Sequence, residues 1–306
     1  MSEETNINEA FEEIMNDQMA GADDMDKITS WYTLNGQDYF LAYTTIPHVP
    51  CGLYNIVSTQ DFGMGLARVN YTADDVYLLP GMPYTQIIND LVAFWNSTDK
   101  FKTFKLKPHR GILLYGETGC GKTSLIYKII EEIRVFDGVV IQFTDPMAWT
   151  NLIPIIRRLE SDRPIICVIE HLDKFLEKFG EENFLSFLDG MNSVSNIVYI
   201  ATTNNIRAIP DSIQNRPSRF DRKYEITKPN DVARREYLKK KLAGTKQKKY
   251  KIDTLVDDTK GFTMAHLREF FVSVFIFNND YDATVKMLRN IKNSPYNSKF
   301  VGFGRE

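Results

Sequence analysis

Residues 110–130, RGILLYGETGCGKTSLIYKII, decide how the rest of the chain is read. An apolar run, Ile112 to Tyr115, predicts a strand. It leads into Gly116-Glu117-Thr118-Gly119-Cys120-Gly121-Lys122-Thr123, and the residues that follow, from Ser124 on, have helical spacing. This is G-x-x-x-x-G-K-T with a strand before it and a helix after it, the context the motif requires. Gly116, Gly119 and Gly121 let backbone N–H groups curl round phosphates without a Cβ in the way. The N-terminus of the following helix adds its positive dipole end. Lys122 is expected to reach the β- and γ-phosphates, and the Thr123 hydroxyl to ligate Mg²⁺. Glu117, Thr118, Cys120 and Ser124 complete the expected nucleotide-binding segment, with Cys120 a small filler at a variable position.

Outward from this stretch, strands and helices alternate. Strands are expected at 110–116, 139–144, 164–170, 196–203 and 223–227, with helices near 122–135, 147–160 and 172–190. Such alternation calls for an α/β fold, a parallel sheet with helices on both faces. Upstream, residues 85–97 have helical spacing through Ile87, Ile88, Leu91, Val92 and Trp95. Residues 31–80 read as β-rich, and Asn35-Gly36 between apolar-aromatic runs is a hairpin signal. A small sheet over 29–84 is therefore expected to precede or pack on a main domain of 85–228. Downstream, TKPND (227–231) ends the alternation and residues 229–293 read as all helix. Residues 1–28 are strongly acidic, with Phe11, Ile14, Met15 and Met19 on one helical face. They read either as a solvated tail or as a short docking helix. Residues 294–306 read as a tail that stays loose or docks on a neighbour.

The 306 residues suffice for a large domain and a smaller one. A net charge of −3 argues against nucleic-acid binding by the whole surface, though not against a local basic patch. No apolar run approaches the ~20 residues that span a bilayer. The acidic N-terminus lacks a signal-peptide core. The 3 cysteines are widely spaced, with neither a disulfide framework nor metal-ligand spacing. A cytoplasmic location is expected.

A buried strand that ends in acid is where many nucleotide hydrolases hold their metal. PIICVIEHLDKF (164–175) is such a run, ending in Glu170-His171-Leu172-Asp173. NIVYIATTNN (196–205) ends in amides where the γ-phosphate would lie, and RPSRFDRKYEI (216–226) sets Arg216 and Arg219 three apart. Together these resemble the AAA family of P-loop ATPases, whose run ATN…RPGRFDR is close to YIATTNN…RPSRFDR. VIEHLD looks most like the branch that writes EDID where most members write DEID, a branch that includes the mitochondrial Rieske-protein translocase and bacterial and phage relatives. The resemblance covers about 85–290. It implies a P-loop NTPase fold with a helical lid, and a homo-oligomeric ring, usually of six subunits, with ATP and Mg²⁺ bound between neighbours. It places Asn204 at the first sensor position, facing the attacking water or the γ-phosphate. It places Arg216 and Arg219 at arginine-finger positions, reaching into the next subunit's site. GFTMAHLREF resembles the second-sensor helix, from which Arg268 would approach the nucleotide.

The departure lies in the acidic pair. The resembling motif has two neighbouring carboxylates, one near the metal, the other polarising water. Here they are Glu170 and His171. Glu170 does one job while Asp173 takes part of the other; or His171 is the general base, since an imidazole titrates in the right range; or hydrolysis is crippled and the subunit is an ATP-loaded scaffold. Two further features stay open. Met147 and Trp149 sit where such ATPases often carry a pore loop, yet Trp149 reads rather more readily as a helix residue buried against the sheet. Lys239, Lys240, Lys241, Lys246, Lys248, Lys249 and Lys251 either face nucleic-acid phosphates or form a solvated surface. The reading is a ring ATPase that remodels or threads a protein client. A DNA- or RNA-handling ATPase and a hydrolysis-poor scaffold are the alternatives.

Overall fold

The computed structural model describes residues 30–32, 40–42, 46, 48–59, 63–71, 77–191, 194–215, 219–243 and 249–293. The readings for residues 1–28, Asn35-Gly36 and 294–306 lie outside these. The chain divides into two units. In one (Met1–Pro50 and Ser58–Gly63), β1 (Ser30–Tyr32) and β2 (Phe40–Ala42) pair antiparallel, with Trp31 opposite Leu41.

The other unit (Cys51–Val57 and Met64–Glu306) is built on a seven-stranded sheet. Its strands are β3 (Gly52–Thr59), β4 (Gly63–Val69), β5 (His109–Tyr115), β6 (Val139–Gln142), β7 (Ile165–Ile169), β8 (Ile197–Thr203) and β9 (Arg222–Glu225). Their order is β4-β3-β6-β7-β8-β5-β9. The ladders from β3 through β6, β7, β8 and β5 to β9 are all parallel. This is the α/β P-loop NTPase arrangement that the alternation predicts. The central strands are uniformly apolar because both faces are covered. Every residue of β7 (IICVI) and β8 (IVYIATT) is buried. The edge strand β9 (RKYE) is charged and largely exposed.

One expectation is corrected. The β-rich segment 29–84 is not one separate sheet, because Gly52–Asn55 of β3 pair with Val139–Gln142 of β6 and extend the main sheet. Val139, Val140 and Ile141 are buried, so without β3 the sheet would end at an apolar edge of unpaired amides. Nothing local in the sequence signals this, since the pairing joins segments far apart in the chain.

The helix Lys122–Ile133 packs on one face through Leu125, Ile126, Ile129, Ile130 and Ile133, at the i, i+4 spacing of an amphipathic helix. The other face carries an aromatic cluster of Phe143, Trp149, Phe175, Phe184 and Phe187. The helix Pro146–Leu159 starts at Asp145, whose carboxylate accepts from the Ala148 N–H, with a proline at its first position. The helix expected near 172–190 is two helices, Leu172–Phe179 and Glu181–Met191. The break falls at Gly180, whose φ is 81°. The helices from Asp231 to Asn293 enclose their own core, including Leu238, Leu255, Phe262, Leu267 and Phe270. Leu79, from the segment before the first large-domain helix, belongs to that core, and Met82 packs against both cores. Among the described residues no helix is long and apolar enough to cross a membrane.

The meeting of β5 and β9 leaves no room at Gly111. A Cβ there would lie 1.6 Å from the Arg219 carbonyl oxygen, a backbone atom that cannot swing away. Gly111→Ala is therefore expected to cost about 3 kcal/mol, lowering the thermal midpoint by roughly 6 °C or more. Gly190→Ala, where an added Cβ meets nothing within 4 Å, leaves it unchanged or raises it slightly.

Candidate functional site

The site forms at the carboxyl ends of the parallel strands, where β5 parts from β8 and β9. Between β5 and its helix, Gly116, Gly119 and Gly121 have φ of 148°, 79° and 104°, the left-handed region that favours glycine. Gly119 has a second constraint: its added Cβ would approach Ala265 Cβ to 2.9 Å and Thr263 Oγ1 to 3.0 Å. The Ala265 N–H also donates to the Gly119 carbonyl at 3.1 Å, so the lid helix Met264–Phe271 rests on the phosphate loop.

Lys122 is 8 % exposed, and Nζ donates to the carbonyls of Gly116 (2.7 Å) and Glu117 (3.0 Å). Burial pushes its pKa down, because the ammonium is held among neutral dipoles. Asp173 offsets this only in part, and a bound triphosphate would supply further counter-charge. Glu117 itself is turned outward to Lys228, at 2.6 Å. Burial raises the Cys120 thiol, which packs in the core as a filler.

Thr123 Oγ1 donates to Glu170 Oε1 at 2.8 Å, bringing the two expected metal ligands together from positions 47 residues apart. Among the described residues no group of three His, Cys, Asp or Glu side chains could hold a metal unaided. One hydroxyl and one carboxylate are hard oxygen donors. They suit Mg²⁺, which keeps several waters and takes phosphate oxygens for the remainder.

Beyond Glu170 the backbone turns at His171 into a left-handed conformation (φ 53°, ψ 56°), and its N–H donates to Thr202 Oγ1 at 3.1 Å. His171 is exposed and lines a cleft with Thr118, Lys122, Ser124 and Asn204. Arg268 lines the same cleft from the lid. Asp173 is committed elsewhere, accepting from Thr203 Oγ1 at 2.9 Å.

Of the two expected fingers, Arg216 lies outside the described residues. Arg219 departs from its expected role: it is 2 % exposed and bound within its own chain, donating to the Ser212 carbonyl (2.7 Å) and to both Asp189 carboxylate oxygens (3.2 Å). There its guanidinium braces its own chain. Trp149 is fully buried, edge-on to Phe143 and Phe187, which removes it from a pore role, whereas Met147 is 74 % exposed.

The lysine run is dispersed. Lys239 lies 3.7 Å from Glu236, Lys240 and Lys241 lie over the Tyr77 ring, and Lys249 lies over Tyr250. Lys246 and Lys248 lie outside the described residues. Lys241 lines the nucleotide cleft beside Arg268, a position that the count of lysines alone did not reveal. A second pocket was also missed. Leu79, Pro80, Met82 and Cys120 line a narrow slot next to the loop together with Thr227, Lys228, Asn230 and Met264, a mixed polar and apolar surface. The only local signal was the turn-prone run LPGMP before a helix.

Residues 112–228 match the family described as ATPase family associated with various cellular activities (AAA). The chain is 30% identical over 183 residues to Protein CdcH of Halobacterium salinarum, covering 55% of this chain and 24% of that protein. It is 30% identical over 161 residues to an "AAA ATPase forming ring-shaped complexes" of Bifidobacterium animalis subsp. lactis, covering 44% of this chain and 31% of that one. It is 27% identical over 241 residues to ATP-dependent zinc metalloprotease FtsH 2 of a Thermoanaerobacter species, covering 72% of this chain and 45% of that one. In each case the match spans less than half of the relative's length. Residues 112–228 thus match an AAA domain, and the phosphate loop and sheet order above are those of an α/β P-loop NTPase-like fold.

Proposed function

We propose that this chain is a subunit of a cytoplasmic, ring-shaped, hexameric ATPase that couples ATP hydrolysis to remodelling of a protein client. The observation that carries the reading is the Thr123–Glu170 contact beside a buried Lys122, with His171, Asn204 and Arg268 lining the same cleft. The base enters the slot between Leu79–Met82 and Thr227–Pro229. Loop N–H groups and Lys122 hold the phosphates. Thr123 and Glu170 hold Mg²⁺, which when bound neutralises charge on the phosphate oxygens. His171 accepts the proton of the attacking water, Asp173 being tied to Thr203, and the Asn204 amide orients that water. Arg268 and Lys241 add positive charge from the lid. Arg216 of a neighbouring subunit completes the site, while Arg219 supports it from within its own chain. A relative described as forming ring-shaped complexes supports the ring.

A second reading, an ATP-loaded scaffold with little hydrolysis, is favoured by one feature: a histidine stands where the resembling motif has a carboxylate. Phosphate release by the assembled protein separates the two. Glu170→Gln is expected to abolish magnesium-dependent turnover. His171→Asn, which suits the left-handed backbone, is expected to lower kcat by ~10²–10⁴ with ATP still bound. Assembly on ATP with no phosphate release from the unaltered chain would select the scaffold.

A further inference from the structure

The backbone ladder between β7 and β8 ends at Ile169 and Ala201. Past that point the two chains separate, one turning at Glu170-His171 into a helix, the other continuing to Asn204-Asn205. Two buried threonines span the gap. Thr202, 3 % exposed, accepts the His171 N–H. Thr203, fully buried, accepts the Asn205 N–H at 3.1 Å and donates to Asp173 Oδ1 at 2.9 Å. A hydroxyl has one donor and two acceptor sites, so Thr203 can serve both partners at once. One partner, Asp173, lies two residues after His171. The other, Asn205, adjoins Asn204. Both His171 and Asn204 line the nucleotide cleft.

We propose that Thr203 is a positioning residue, which fixes the separation of His171 and Asn204 through Asp173 and the Asn205 backbone. This rests on the reading above, in which those two groups flank the attacking water. β8 stays paired with β5 as far as Thr203, but its ladder with β7 has already ended, and across that gap side-chain bonds take over. Neither Thr203 nor Asp173 then touches the nucleotide, and Asp173 acts as the fixed end of the link. Displacement of a reacting group by about 1 Å costs ~10² in rate, so the link governs turnover and not ATP affinity.

The test is kcat and ATP affinity, measured separately on the full chain. Thr203→Val keeps the shape and removes the hydroxyl. It is expected to lower kcat by ~10²-fold with ATP affinity changed less than about threefold. Thr203→Ser restores the hydroxyl and is expected to recover most of the rate. Asp173→Ala, at a half-buried carboxylate, carries the test if the valine variant fails to fold, with the same expected loss. The double variant is expected to be no slower than either single one, as members of one link are not additive. Unaltered kcat in Thr203→Val or Asp173→Ala overturns the proposal, as does an equal loss in Thr203→Ser or a parallel loss of ATP affinity. If the unaltered chain releases no phosphate, the hydrolase reading itself has failed, a result distinguishable from these.

Discussion

Lys122→Ala is expected to lower ATP affinity by roughly 10²-fold and to bring phosphate release down to background. The ammonium is buried and, among the described residues, hydrogen-bonded to the carbonyls of Gly116 and Glu117, with the Asp173 carboxylate acting on it only through space. Charged hydrogen bonds of the kind it would make to a triphosphate are worth about 1.5–3 kcal/mol, and 1.4 kcal/mol is tenfold. The pKa shift adds a pH dependence. Burial holds the free protein's Lys122 below the usual lysine value, and bound phosphates would raise it again. ATP affinity is then full below the lowered pKa and falls as pH rises through it. Folding stability runs the other way. The unfolded chain keeps its proton to higher pH, so stability climbs with pH between the lowered value and 10.5. Titration calorimetry over a pH series checks the first sign and denaturant unfolding over the same series the second, each with the alanine variant alongside. An alanine variant that binds ATP as the unaltered chain does would remove the phosphate loop from the mechanism.

Arg216→Ala is expected to cost ~10³–10⁵ in turnover while each subunit still binds ATP, the loss associated with a trans-acting arginine. The stronger form of this experiment mixes two inactive proteins. An Arg216→Ala subunit keeps its phosphate loop, and a Lys122→Ala subunit keeps its Arg216. In a mixed ring some interfaces bring an intact loop against an intact arginine, so activity returns on mixing. If mixing restores nothing, Arg216 acts within its own chain or not at all. Arg219→Ala should behave differently, since its bonds to Ser212 and Asp189 are internal. It belongs with stability changes, and mixing would not rescue it.

The parts of this site that were legible in the sequence are those written in consecutive residues. The phosphate loop is local, and its glycines, lysine and threonine fix their own geometry. The four strands from β5 to β8 announced themselves by short apolar runs, and Glu170 by ending one of them. What stayed hidden depends on contacts between distant segments. The partner of Asp173 is Thr203, the brace of Arg219 is Asp189, and the slot beside the phosphate loop joins residues near 80 to residues near 228. Trp149 shows the limit from the other side. An aromatic after a strand has the same spelling whether it grips a client or fills a core, and only its neighbours Phe143 and Phe187 decide. The break at Gly180 was missed because the apolar spacing continues across it, although the glycine itself was a stop signal.

The addition of β3 to the edge of the sheet redraws the border of what can be transplanted. A fragment trimmed to the stretch that matches the AAA family would begin at Ile112 and leave Val139–Gln142 without their outer companion. Such a piece would offer a bare, greasy flank to its own kind, an invitation to clump. The smallest portable unit of this fold therefore starts near residue 51, well ahead of the phosphate loop at Gly116.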